Sequence, residues 1–233
     1  MTTGLTALKH DPLRERVYRQ LRDALMSGRF KPREVITIRS IADALGTSAM
    51  PVREALRRLV AEQALEVLRN RSVAVPPMTR ERFDELYRVR VTVEGTAAAW
   101  AASRITPAEL RSLDRLSGEI ERHVEDGNAS GYLKANMKFH FAIYRAARSQ
   151  VLLPLIESLW LQVGPFFNHT ASAGDYRLAH QHHQEALAGL AARDPEAARE
   201  GIAGDITAAA EYLLEVYPFD EAGALAEAAD AAK

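Results

Sequence analysis

Asn136 and His140 stand at i and i+4 in a stretch of helical period, so an amide oxygen and an imidazole share one helix face among Phe139, Ala142 and Ile143. Farther along come His180, His182 and His183; His180 and His182 fall off the face of His183 and are expected to be exposed. Imidazoles serve as acid–base groups, hydrogen-bonding groups or metal ligands. Spacing alone reads His140 and His183 as hydrogen-bonded histidines of a pocket, with Asp175 and Tyr176 as rim residues. Arg90 lies on an otherwise apolar helix face beside Tyr87 and Val91, and a buried guanidinium needs a partner. Glu94 at i+4 is one; the other is the carboxylate of an organic acid, clamped by the arginine fork with Tyr87 alongside. The sequence leaves both open. No carboxylate is placed as a general base, and there is no nucleophile motif or Gly-rich phosphate loop, so the polar set points to binding rather than catalysis.

A second set is cationic. Residues 1–78 carry fourteen Lys/Arg against eight Asp/Glu (+6), whereas the remainder carries sixteen against twenty-three (−7). A basic third joined to an acidic remainder implies that only the first part meets a polyanion. The chain has 233 residues, 47% of them hydrophobic and 26% charged, with no cysteine, which excludes disulfides and thiolate metal sites. It shows no run of 18 apolar residues and no apolar signal-peptide core at its start, so a cytoplasmic protein with no membrane partner is expected.

The elements that must position these residues follow from periodicity. Leu13, Val17, Leu21, Ala24 and Leu25 recur at helical spacing up to Gly28, and Lys31-Pro32 forms a turn. Ile38 to Leu45 is a short helix ended by Gly46; Ser48 caps the next, with Pro51 tolerated in its first turn. Leu65–Leu68 and Val73–Val75 flank Arg69-Asn70-Arg71-Ser72 as a small hairpin. Pro76-Pro77 marks a boundary, and from Thr79 to Tyr217 the pattern gives about six helices, separated near Ile105, Gly127, Gln150, His169 and Asp194. The expected fold is mainly α: a winged helix-turn-helix of three helices and a hairpin over 8–76, an all-helical bundle over 79–217, and a tail over 218–233.

In such a head the second helix of the pair enters the major groove by its N-terminal residues, here Ser48, Ala49, Met50 and Arg53. Arg39 opens the preceding helix within reach of phosphate, and Arg69 and Arg71 sit at the hairpin tip. Arg57 and Arg58 read as solvated or intradomain charges.

Leu13 to Val75, with Pro-Val-Arg-Glu-Ala-Leu intact at 51–56, resembles the GntR family of bacterial regulators. Three positions depart from its pattern: Ala49 replaces an arginine common after the serine, Ala64 a glycine before the wing, and Ser72 the wing glycine. The rest resembles the FCD domain of the FadR branch, through Arg90-Val91-Thr92-Val93-Glu94, Asn136-Met137-Lys138-Phe139-His140 and His183 through Asp194. Metal-binding members use an Asp or Asn and three histidines. The resemblance maps these onto Asn136, His140 and His183, with Asp205 where a histidine is usual. Such ligands suit a divalent zinc, nickel or manganese ion. The resemblance implies a homodimeric repressor, not an enzyme, that binds a palindromic operator in double-stranded DNA and responds to a small organic acid. The alternative is a DNA-binding dimer whose helical domain lacks metal and serves dimerisation or binds a non-chelating ligand.

Overall fold

The computed structural model describes residues 13–69, 72–167, 169 and 177–219, with side chains of the last stretch described from Gln181. The expectations placed on Arg71, Asp175, Tyr176, the His180 side chain and the chain from Asp220 lie outside the described residues.

Helix α1 (Leu13–Met26) buries Val17, Tyr18, Leu21 and Leu25 at helical spacing and stops at Gly28, which takes φ 67°. Thr37 starts α2 (Ile38–Leu45) by accepting a hydrogen bond from the Ser40 amide. Gly46 closes it in the left-handed conformation, and the short turn leads into α3 (Ala49–Ala61), which buries Val52, Ala55, Leu56 and Leu59. Ser48 holds the N-cap position with extended backbone, but its side chain makes no cap hydrogen bond, contrary to expectation. The wing is also larger than a hairpin. Val35–Ile36 forms β1, which pairs antiparallel with β3 (Val73–Ala74), and β3 pairs with β2 (Glu66–Val67), giving the order β1-β3-β2. Two-residue strands have no readable period, and β1 is fixed by partners far along the chain, including the bonds between Val75 and the backbone of Arg33 and Glu34.

From α4 on the chain is helical: α4 (Arg80–Arg104), α5 (Pro107–Glu125), α6 (Ala129–Ala146), α7 (Leu152–Val163) with a short 3-10 turn at Gly164–Phe166, α8 (Arg177–Ala192) and α9 (Pro195–Val216). Thr79 caps α4, Thr106 and Glu109 form a capping box on α5, and Asp194 caps α9 ahead of Pro195. Central α4 packs against α6, α7, α8 and α9, and its run of small buried residues (Ala97, Ala98, Ala101, Ala102) allows that close approach. No helix among the described residues is long and apolar enough to cross a membrane. Phe219, inside the expected tail, packs on Phe83 and Tyr217, so the described chain remains on the bundle to that point.

Gly164 brings head and bundle together: a Cβ there would overlap the backbone of Leu25 and Met26. Arg22 of α1 reaches Glu157 of α7 at 3.4 Å across the same seam.

Candidate metal centre and DNA-facing surface

Three helices converge on one point. His140 of α6, His183 of α8 and Asp205 of α9 are all buried, and their ligand atoms face one another. The two Nε2 atoms are 3.2 Å apart; His140 Nε2 lies 3.1 Å from one Asp205 oxygen and His183 Nε2 3.3 Å from the other. Burial pushes the Asp205 carboxyl up, but the charges of His183 and His140 and their hydrogen bonds outweigh it and hold the group well below the usual carboxylate range.

Glycine builds this approach. A Cβ on Gly201, one turn before Asp205 on α9, would overlap the backbone of Ala186, which lies three residues after His183 on α8. Gly201→Val is therefore expected to force α8 and α9 apart, costing about 1–3 kcal/mol of stability, read by thermal unfolding.

Behind the imidazoles lies a polar chain anchored on α4. Tyr144 donates its hydroxyl proton to Glu94 Oε2 at 2.5 Å, and its oxygen lies 2.9 Å from His140 Nδ1. Since the hydroxyl proton is committed to the carboxylate, His140 must donate from Nδ1, so Nε2, which faces His183 and Asp205, is the nitrogen that can give up its proton to a bound cation. Burial and the Glu94 charge push the Tyr144 hydroxyl pKa up, so the donor persists. Glu94, fully buried, also accepts from Trp160 Nε1 of α7 at 2.9 Å and from Arg90 Nε at 2.6 Å. Burial lowers the Arg90 pKa, yet Glu94 more than offsets this, and the guanidinium sits over Trp160 and Phe167 at 5.2 and 5.6 Å. Of the two readings open for Arg90, the structure therefore shows the pair with Glu94. Tyr87 is half-buried, packed beside the apolar cluster of Met78, Phe83 and Leu213.

The donor set fits a divalent ion. Metal bonds of about 2.0–2.1 Å give ligand–ligand edges from about 3.0 Å (octahedral) to about 3.4 Å (tetrahedral), the range of the three separations above. Asn136, one turn before His140 on α6, has a buried side-chain oxygen with no hydrogen-bond partner, and such an orphaned acceptor suits a cation. Of the four expected ligands, His140, His183 and Asp205 meet, and Asn136 stands one turn before His140 on the same face of α6. His182 lies off this point and pairs with Glu185 at 2.8 Å.

In the head, Ala49, Met50 and Arg53 are exposed on the first turns of α3 and Arg69 is exposed at the wing. Met50 is 64% exposed, unusual for a large apolar residue and suited to a surface that meets a partner. Arg39 is almost fully solvated and, among the described residues, pairs with Asp43 at 3.9 Å. Arg58 is intradomain, bonded to Glu15 and Glu62 and stacked 3.6 Å above the Tyr18 ring. Glu62 is occupied by Arg58 and the Tyr18 hydroxyl, and no ion pair joins Arg53 to a described acid. Tyr144 and Trp160 were missed by the sequence reading; Tyr144 carried a signal, being i+4 from His140, whereas Trp160 meets Glu94 only through the tertiary fold.

Residues 13–75 match the model of the bacterial regulatory proteins of the gntR family, and residues 85–208 match that of the FCD domain. The HTH-type transcriptional regulator McbR of Escherichia coli is 32% identical over 203 residues, covering 86% of this chain and 92% of that protein. A probable D-xylose utilization operon transcriptional repressor of Paenarthrobacter nicotinovorans is 29% identical over 72% of this chain and 74% of its own length. The solved structure of E. coli McbR/YncC superposes with a TM-score of 0.84 at 30% identity, covering 89% of this chain and all of that one. A putative GntR regulator from Rhodococcus gives 0.71 at 25% identity over 88% and 99% of the two chains.

Proposed function

Because the chain belongs to the GntR family of DNA-binding transcription regulators and carries an FCD domain, we propose that it is a homodimeric repressor whose operator binding is set by a small organic acid held at a divalent metal. The observation that carries this reading is the convergence of His140, His183 and Asp205, backed by Glu94 through Tyr144, inside a bundle attached to a winged helix.

The metal is held by His140, His183 and Asp205, with the Asn136 oxygen as the fourth donor. One carboxylate against a divalent charge leaves a positive centre, which attracts a carboxylate ligand. Arg90, neutralised by Glu94, acts behind the imidazoles rather than as the acid's clamp. The head over 8–76 reads DNA; the unit over 79–217 binds ligand and dimerises. Two heads side by side read a palindrome with half-sites about 34 Å apart.

Arg53 and the exposed residues Ser48, Ala49 and Met50 face the base edges, while Arg39, Arg69 and Arg71 hold the backbone. With Ala49 in place of the family's arginine, Arg53 carries more of the base readout. Arg53→Ala is expected to weaken operator binding by about 1–3 kcal/mol and to relax discrimination between half-site variants, measured by fluorescence anisotropy. Equal losses on specific and random DNA would make it a phosphate contact only.

The test of the whole reading uses a labelled operator duplex selected by the protein from a random pool. Metal-loaded protein is titrated on it in the presence of a panel of small hydroxy- and dicarboxylic acids. At least one acid is expected to change operator affinity by about 5–150-fold, and the effect should vanish in His140→Ala/His183→Ala. An acid acting equally on that variant would overturn the metal-held reading.

A further inference from the structure

Helix α6 has two working faces. Asn136, His140 and Tyr144 look into the bundle, and Met137, Phe141 and Arg145 repeat one position on, turned about 100° away. That second face forms one wall of a crevice of about 690 Å³ whose other wall is α1 and α2 of the head. The volume lies in the range of small-molecule sites, which is about 300–1,000 Å³. Its apolar lining comes from both domains: Leu21, Phe30 and Ile41 from the head, Met137 and Phe141 from α6.

The charge of the crevice is lopsided. Arg22, Arg29, Lys134, Lys138 and Arg145 line it against only two acids, Asp23 and Glu157. Both acids are already engaged with Arg22, at 3.0 and 3.4 Å, and Lys138 leans on Glu119 at 3.6 Å. Arg29, Lys134 and Arg145 form no ion pair with any described acid. Three cations without an ion pair to a described acid thus border an apolar-walled gap, Lys134 and Arg145 eleven residues apart along its α6 wall, and low-dielectric walls strengthen the field they exert inside it.

We propose that this crevice is a second ligand site, distinct from the metal centre, for an amphipathic organic anion. Its acid group sits on the cationic border that Arg29, Lys134 and Arg145 give the crevice, and its hydrocarbon body lies on Met137, Phe141 and Phe30. Such a ligand touches head and bundle at once, so it favours the arrangement of the two that this structure shows, and operator affinity changes with it.

The probe is anilinonaphthalene sulfonate, an aromatic body with one fixed negative charge, titrated by fluorescence into the metal-loaded 233-residue chain. Saturable binding competed by decanoate is expected. Lys134→Glu/Arg145→Glu should weaken it at least about tenfold with circular dichroism unchanged, and His140→Ala/His183→Ala should bind as the parent does. Met137→Trp, which fills the apolar wall without changing charge, should also abolish binding and covers the case of a misfolded double variant. Full affinity in both crevice variants would overturn the proposal. So would loss of binding in the histidine variant, which would put the probe at the metal centre.

Discussion

Glu94→Ala is expected to cost about 3–5 kcal/mol of unfolding free energy, because it strands the buried Arg90 charge. Glu94 has no exposed surface and accepts from Arg90, Trp160 and Tyr144, so a single truncation leaves donors from three helices without an acceptor. The guanidinium cannot shed its proton to escape the cost. Glu94→Gln keeps part of the hydrogen bonding and should fall between the alanine variant and the parent. Arg90→Leu/Glu94→Leu removes both charges and should be less damaging than Glu94→Ala alone, the mark of an ion pair whose partners are costly only when separated. Urea unfolding followed by circular dichroism measures all three. A loss under about 1 kcal/mol for Glu94→Ala would mean that Arg90 is reached by water or by another acceptor.

Tyr144→Phe is expected to weaken metal binding by about 10–100-fold, the usual effect of removing a group that orients a ligating histidine. The substitution keeps the ring and its contacts with Phe141 and His140 but deletes the oxygen opposite His140 Nδ1. Without that acceptor the imidazole loses the hydrogen bond that places its proton on Nδ1, and part of the population presents N–H rather than a lone pair to the centre. Competition with a chromogenic chelator reads the affinity. An unchanged affinity would mean that packing against Phe139 and Trp160 alone fixes the ring.

What the sequence revealed tracks how local each feature is. The end of α2 was legible because Gly46 is a stop signal that acts within one turn. The separations expected near Ile105 and Asp194 fall at the Thr106 capping box and the Asp194-Pro195 start, signals of the same short range. Strand β1 was not, because two residues carry no period and its partner lies some forty positions on. Phe219 likewise stays on the bundle through an aromatic contact to Phe83 that no nearby residue foretells.

The candidate site divides along the same line. Asn136 and His140 announced themselves by their spacing, but their grouping with His183 and Asp205 as one ligand set came only through resemblance, since that meeting depends on Gly201 against Ala186 between two helices. The sequence offered Glu94 as the neighbour of Arg90. It did not show that the same carboxylate holds Tyr144, and through it His140, because that chain joins α4 to α6 across fifty positions.

The most direct measurement of the central claim is elemental analysis of protein purified without chelator or metal-affinity tag, beside His140→Ala/His183→Ala. Retention of about one divalent ion per chain, lost in the variant, is the result expected of a closed two-imidazole, one-carboxylate centre. A metal-free parent chain, even after exposure to zinc, nickel and manganese, would contradict it and make the cluster a hydrogen-bonded pocket for a ligand held without metal.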